Sequence, residues 1–312
     1  MRRKIIMDCD TGRDDALAIA LALASPNELE LLGITAVAGN VPLELTQRNA
    51  RLICDLANNR DIKVFAGEAA SLQGAQTTAQ TVHGETGLQG LDVFEPSVPL
   101  QKLHGVDFII ETLSKAQDNE IILVPTGPLT NIARMIERAP DLLSKIQHIV
   151  LMGGARSECG NITPTAEFNI YADPHAANLV FECGRPITVI SLDLTNQVLA
   201  TDDHLCRLAA IGTPIAQGLA NLFVDERPYN VERFGAGVHP AHDPCTIACL
   251  LWPDLISTKF VNAVVDTREG LTFGSTVVDF WNKTERKPNV HWGYNIDVDV
   301  FFERFIERIA GL

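Results

Sequence analysis

The chain has 312 residues, 46% of them hydrophobic but only 6% aromatic, so it can bury a large core that must be mostly aliphatic. Its 39 acidic residues outweigh 25 basic ones for a formal charge of −14, which argues against a nucleic-acid partner and suits small cations and neutral polar ligands. Seven cysteines, an odd number scattered through apolar stretches, read as buried free thiols in a reducing compartment. Cys245 and Cys249 stand four apart, but no second pair completes a zinc site. The basic start has too few apolar residues before Asp8 for a signal peptide, and the longest apolar run, Ala16 to Ala24, is far short of the ~20 residues that span a bilayer. A soluble cytoplasmic protein with no membrane partner is expected.

Lys4–Met7 reads as a buried strand and Asp14–Leu23 as a helix. Between and around them lie four carboxylates within eight positions: Asp8, Asp10, Asp14 and Asp15. Clustered carboxylates raise one another's cost of ionisation, and a cation among them relieves it. A tight turn at the carboxyl end of a strand is also where open α/β sheets bind ligands. Gly12 lets the backbone reverse, so Asp10 before the turn and Asp15 after it can converge on one ion. Hard oxygens of this kind suit Ca²⁺.

Further along, strands are predicted at Leu31–Val37, Lys63–Phe65, Ile121–Pro125, Ile149–Met152, Ile187–Leu192 and Phe260–Val265. Helices are predicted at Leu43–Asn58, Val106–Ala116, Leu129–Arg138, Pro174–Glu182, Asp203–Ala210, Pro244–Leu251 and Val300–Ile309. The strands are continuous apolar runs, which fits a parallel sheet covered on both faces. The βα alternation predicts an α/β fold: a single domain over residues 1–312 with an open, mostly parallel, Rossmann-like sheet and helices on both faces. Ala66–Gln101, rich in Gly, Gln, Thr and Pro, reads as a long surface excursion, and Gly235–His242 as a second loop.

Other groups carry candidate chemistry. Asp243-Pro244 before an apolar run has the form of a helix N-cap with proline at the first helical position, as has Asp173-Pro174. His242 and the glycines at 235 and 237 set Asp243 apart. Pro125-Thr126-Gly127-Pro128 ends a strand and leaves carbonyls free. Asn161, Glu167 and Asn169, with Asn40 at another strand end, form a set suited to hydrogen-bonding hydroxyls. His83, in the long loop, and His242 can each protonate a leaving group near neutral pH.

Taken together these residues resemble the inosine–uridine-preferring nucleoside hydrolases. Asp8-Cys9-Asp10-Thr11-Gly12-Arg13-Asp14-Asp15 is similar to that family's Asp-x-Asp-Pro-Gly-x-Asp-Asp signature. Ala38-Gly39-Asn40, His83-Gly84-Glu85, Pro125-Thr126-Gly127, Met152-Gly153-Gly154, Ala166-Glu167-Phe168-Asn169 and His242-Asp243-Pro244 follow in the family's order along nearly the whole chain. The resemblance implies the nucleoside hydrolase fold, a homodimer or homotetramer, and one Ca²⁺ per chain held by Asp10, Asp15, Asp243 and the backbone carbonyl of Thr126. It implies a water nucleophile with Asp10 as base. Asp14 and Asn169 would hold the ribose 2′-hydroxyl, Asp243 the 3′-hydroxyl, and Asn161 with Glu167 the 5′-hydroxyl. Asn40 would line the nucleophile side, and Met152 and Phe168 would belong to the substrate pocket. His83 and His242 match two leaving-group histidines, and Tyr229 and Arg233 fall in the region that flanks the base. Thr11 departs from the family's proline. Arg13 is expected to pair with Asp8 or to face solvent. Two other readings start from the same residues: a Mg²⁺-dependent phosphatase of the haloacid dehalogenase type with Asp8 as nucleophile, and a non-catalytic calcium-dependent nucleoside binder.

Overall fold

The computed structural model describes residues 2–74, 77–79, 84–223 and 228–312. Its strands, in chain order, are β1 (Arg3–Cys9), β2 (Leu29–Ala36), β3 (Val64–Ala66), β4 (Leu100–Gln101), β5 (Ile121–Pro125), β6 (Ile146–Met152), β7 (Ile187–Ile190), β8 (Leu199–Thr201), β9 (Val238–Pro240), β10 (Ile256–Val265), β11 (Thr276–Asp279) and β12 (Val290–Ile296). Ten of them form one open sheet in the order β11-β10-β12-β7-β6-β5-β1-β2-β3-β4, while β8 and β9 pair separately. Pairing is parallel from β12 through to β4 and antiparallel on both sides of β10.

The two faces of the sheet are buried under separate helical layers, which is why its central strands are apolar throughout. In β1, Ile5, Met7 and Cys9 enter the core beneath the helices Arg13–Leu23, Leu43–Leu56, Pro244–Leu251 and Val298–Ile309. Ile6 enters the opposite core, beneath Gly105–Lys115, Thr130–Arg138 and Pro174–Phe181. The helix Arg13–Leu23 buries every residue except Asp14, as an Ala- and Leu-rich segment that is apolar all round should.

The strand order reverses at β1: β2, β3 and β4 lie on one side, and the chain then returns to place β5 on the other. This switch opens a crevice at the carboxyl ends of β1 and β5. Asp8 is in register with Pro125 there, so the acidic turn and the Thr126-Gly127 turn are neighbours.

Several expectations change. Phe260–Val265 is part of a longer strand that runs antiparallel, and β11 and β12 were not foreseen. β12 reads Val-His-Trp-Gly-Tyr-Asn-Ile and buries only Val290, Trp292, Gly293 and Ile296, so no continuous apolar run marks it. Ile187–Leu192 breaks after Ile190, where the short helix Leu192–Thr195 begins. The segment 67–99 is not merely superficial, since Leu88 and Val98 join the core. Within Gly235–His242, Val238–Pro240 pairs with β8. All seven cysteines are free, but Cys159 and Cys206 are exposed rather than buried. No helix among the described residues is long and apolar enough to cross a membrane.

Candidate active site

β1 ends at Cys9, so Asp8 stays in the pleat while Asp10 leaves it. Asp8 faces the Thr130–Arg138 helix, fully buried. Its Oδ1 accepts hydrogen bonds from the Thr35 hydroxyl and from Asn131 Nδ2 at 2.7 Å. That carboxylate braces β1, β2 and the helix beside β5. Its Oδ2 is also buried and has no hydrogen-bond partner among the described residues, so the whole carboxylate is shut inside the sheet and cannot serve as a nucleophile, which removes the phosphatase reading.

Asp10 is wedged between two glycines. A Cβ on Gly39 would stand 2.1 Å from Asp10 Oδ2, and one on Gly127 2.8 Å from Oδ1. Asn40 N donates to Oδ2 at 2.7 Å, while Oδ1 is buried and has no hydrogen-bond partner among the described residues. Asp15, in the first turn of its helix, accepts from Gly12 N at 2.9 Å, Asn40 Nδ2 at 3.2 Å and the Thr126 hydroxyl at 2.6 Å. Asp14 is half-buried and accepts from His242 N at 3.3 Å, tying the first acidic turn to the loop before Pro244.

Asp243 does not cap its helix. Its backbone is already helical (φ −63°, ψ −36°) and its carboxylate makes no capping bond, although it is only 4% exposed. Asp173, in the same Asp-Pro setting, does cap, accepting from Ala176 N at 3.0 Å. Of two acids with the same local sequence, one is spent on the backbone and the other is left for the crevice.

The remaining wall comes from β6 and the short helix Phe168–Ala172. Glu167 caps that helix, accepting from Asn169 N at 2.9 Å and Ile170 N at 3.2 Å, and it also takes Gly154 N at 2.9 Å. Asn169 Nδ2 donates to the carbonyls of Thr126 at 2.7 Å and Met152 at 3.2 Å, so its Oδ1 is left to accept from a ligand. Met152 and Phe168 are buried beside it. Asn161 is exposed, and its Oδ1 accepts from Phe168 N at 2.8 Å.

The acids are held in a costly state. Burial pushes Asp8 up to about 7 and Asp15 up to about 6. Burial, then the charge of Asp15, drives Asp10 well above the usual carboxylate range. Asp243 is driven up by burial and then by Asp15, Asp14, Asp10 and Glu167. Glu167 is raised mainly by burial. Each is the response of negative charges brought together out of water. Among the described residues, no three His, Cys, Asp or Glu side chains form a ready-made metal cage. The oxygens that suit a hard cation here are a mixed set: Asp10 Oδ1, the carboxylates of Asp15 and Asp243, and the second lone pair of the Thr126 carbonyl.

On the outer side, His242 is half-buried, with Nδ1 2.8 Å from the Thr195 hydroxyl. Arg233 pairs with Glu158 at 2.6 Å, and Glu158 also accepts from Asn196 Nδ2 at 3.0 Å. Tyr229 lies in the helix Pro228–Phe234, but its side chain, like all of His83, is outside the described residues. Arg13 is buried rather than solvent-facing, and Asp8 is engaged by Thr35 and Asn131 instead. Sequence reasoning missed Asp193, which accepts from Arg156 N at 2.9 Å, Ser157 N at 2.8 Å and Trp292 Nε1 at 3.1 Å and so fixes the loop carrying Glu158. Its signal was present: an acid just beyond the apolar strand β7, as Asp10 is just beyond β1. Thr195 was missed too, and nothing local distinguishes it.

A family model for the inosine-uridine preferring nucleoside hydrolases matches residues 5–303. The chain belongs to this family. It is 42% identical over 311 residues to the pyrimidine-specific ribonucleoside hydrolase RihA of Shewanella sp. (strain ANA-3), covering 99% of this chain and 97% of the relative. Identity to the pyrimidine-specific ribonucleoside hydrolase RihB of Escherichia coli (strain SE11) is 41%, covering 99% and 98%. The solved purine-preferring ribonucleoside hydrolase from Gardnerella vaginalis superposes with a TM-score of 0.90 at 34% identity, covering 99% and 98% of the two chains. This nucleoside hydrolase is therefore an enzyme that cleaves the N-glycosidic bond of ribonucleosides, and the crevice at the ends of β1 and β5 is its candidate active site.

Proposed function

We propose that the enzyme is a calcium-dependent hydrolase that prefers pyrimidine ribonucleosides, releasing ribose and the free base. The base preference follows the two bacterial relatives named above, whose identities exceed that of the purine-preferring structure. The observation that carries the calcium reading is Asp10: buried, gripped between Gly39 and Gly127, with one oxygen fixed and the other unpartnered. Asp15, Asp243 and the Thr126 carbonyl complete an all-oxygen set of the kind Ca²⁺ takes. When bound, the ion would orient a water and lower its pKa.

The chain's own groups supply the rest. Asp10 accepts the proton of the attacking water. Asp14 and Asn169 Oδ1 take the ribose 2′-hydroxyl, Asp243 the 3′-hydroxyl, and Glu167 with the side-chain amide of Asn161 the 5′-hydroxyl. Asn40 keeps Asp10 and Asp15 in place through its main-chain and side-chain amides. Binding all three hydroxyls converts remote binding energy into orientation at C1′. As the glycosidic bond breaks, positive charge grows on the sugar ring, and the surrounding carboxylates stabilise it. His242 and His83 act on the leaving base, with Tyr229 and Arg233 beside it. The enzyme acts as a single-domain homodimer or homotetramer in the cytoplasm.

The test is ribose release from uridine, cytidine and inosine by protein stripped with EGTA and then resupplied with Ca²⁺. Loss on stripping and recovery with Ca²⁺, fastest on a pyrimidine, is expected. Full activity in EGTA would exclude the calcium role, and faster turnover of inosine would exclude the base preference.

A further inference from the structure

Thr195 ends the short helix Leu192–Thr195 just beyond β7, and its side chain is 0% exposed. Its hydroxyl stands 2.8 Å from Nδ1 of His242, and among the described residues that ring nitrogen is its one hydrogen-bond partner. A buried hydroxyl whose proton points at nothing is costly. The proton therefore goes to Nδ1, which must present its lone pair. The ring proton of neutral His242 is then on Nε2. The main chain of the same residue is anchored separately, since His242 N donates to Asp14 Oδ2 at 3.3 Å. Both ends of His242 are thus tied, one to the ribose-binding acid and one to Thr195.

We propose that Thr195 is a positioning residue that locks His242 in the Nε2–H tautomer, so that a neutral imidazole presents an N–H to the leaving base. The proposal rests on the reading of His242 as a leaving-group residue. The step it describes is hydrogen bonding rather than full proton transfer. The bond between C1′ and the base nitrogen breaks, and its electron pair leaves with the base. The Nε2–H donates to the base atom on which negative charge gathers, and solvent protonates the departed base. No imidazolate forms and no co-reactant is needed. Thr195 itself touches no substrate.

The experiment uses the full chain with ¹⁵N-labelled histidine, His242 being assigned by comparison with His242→Asn, at a pH where the ring is neutral. Wild type should show a pyrrole-type shift at Nε2 and a pyridine-type shift at Nδ1. Thr195→Ser keeps the hydroxyl and should keep both the shifts and the turnover. Thr195→Val, nearly isosteric, should mix the tautomers and lower kcat on uridine roughly tenfold, the effect of about one hydrogen bond, with KM within about twofold. Its effect on a nitrophenyl riboside, whose leaving group needs no help, should be small. A wild-type proton on Nδ1, or unchanged shifts in Thr195→Val, would overturn the lock. The two readings fail separately: if His242→Ala leaves uridine turnover intact, the leaving-group role is lost, while the ring-nitrogen shifts still decide for or against Thr195.

Discussion

Replacing Gly39 by alanine tests the site without touching a functional side chain. The new Cβ would lie 2.1 Å from Asp10 Oδ2, 2.8 Å from its Cγ and 2.9 Å from its Cβ, where ordinary contact begins at 3.4 Å. Something must move by roughly 1 Å, and Asp10 has little room to do so. It is a short, buried side chain, and Gly127 lies close to its other oxygen, since a Cβ there would already meet Oδ1 at 2.8 Å. The expected result is a rotated carboxylate that loses its 2.7 Å bond from Asn40 N. Overpacking of this kind costs about 1–3 kcal/mol of stability, which thermal unfolding of the EGTA-treated protein will register. A misplacement of about 1 Å at a reacting group costs on the order of 10²-fold in rate, so kcat on uridine should fall by about that factor. If Gly39→Ala folds and turns over within about threefold of wild type, Asp10 is not the aligned base described above.

Other consequences are open to measurement. Asp10→Asn should abolish most turnover, by at least about 10³-fold, while the EGTA-treated protein melts no lower than wild type because a buried charge has been removed; near-normal turnover would take the base role from Asp10. Asp8 has its ordinary value of 3.8 raised to about 7 in the fold, so the folded state binds the proton more tightly than the unfolded one. The stability this contributes is full below about pH 4 and is lost as pH rises through 7. Asp8→Asn retains an Oδ1 for Thr35 and Asn131 and cannot ionise, so its melting temperature minus that of wild type, in EGTA, should rise between pH 4 and 8; a flat difference would refute the shift. Finally, 2′-deoxyuridine leaves Asp14 and Asn169 without their hydroxyl and should be turned over on the order of 10³-fold more slowly than uridine, which steady-state release of uracil, the product common to both substrates, will check.

The cluster of acids also explains why this fold needs its two glycines where they stand. A carboxylate with one fixed oxygen and one unpartnered oxygen is unstable unless its neighbours prevent it from swinging toward water or a backbone amide. Gly39 and Gly127 let two main chains close on Asp10, and the Asn40 amide that donates to Oδ2 sets its angle. Asp243 is held by a different device: its backbone enters the helix one residue early, so the usual capping geometry is unavailable to its side chain.

By itself the sequence determined the α/β architecture, the acidic turn at the end of β1, and most of the residues that gather in the crevice, because these depend on local matters: continuous apolar runs, strand-to-helix turns, and the density of charge along a few positions. It did not reveal the antiparallel edge, because β12 alternates polar and apolar residues and is specified by pairing with β10 and β7. It set Asp243 apart from Asp173 by the neighbouring His242 and glycines, and placed Asp10 rather than Asp8 on the ion, but it could not say which donors each carboxylate meets. Only the tertiary structure decided those contacts. Thr35 and Asn131, from elements distant in the chain, hold Asp8 inside the sheet through Oδ1, with Oδ2 buried there as well, whereas Asp10 leaves the strand where the strand order reverses and Asp243 keeps its carboxylate off the helix it begins. A carboxylate's function here is set by which hydrogen-bond donors the fold brings within reach, and that is a long-range property.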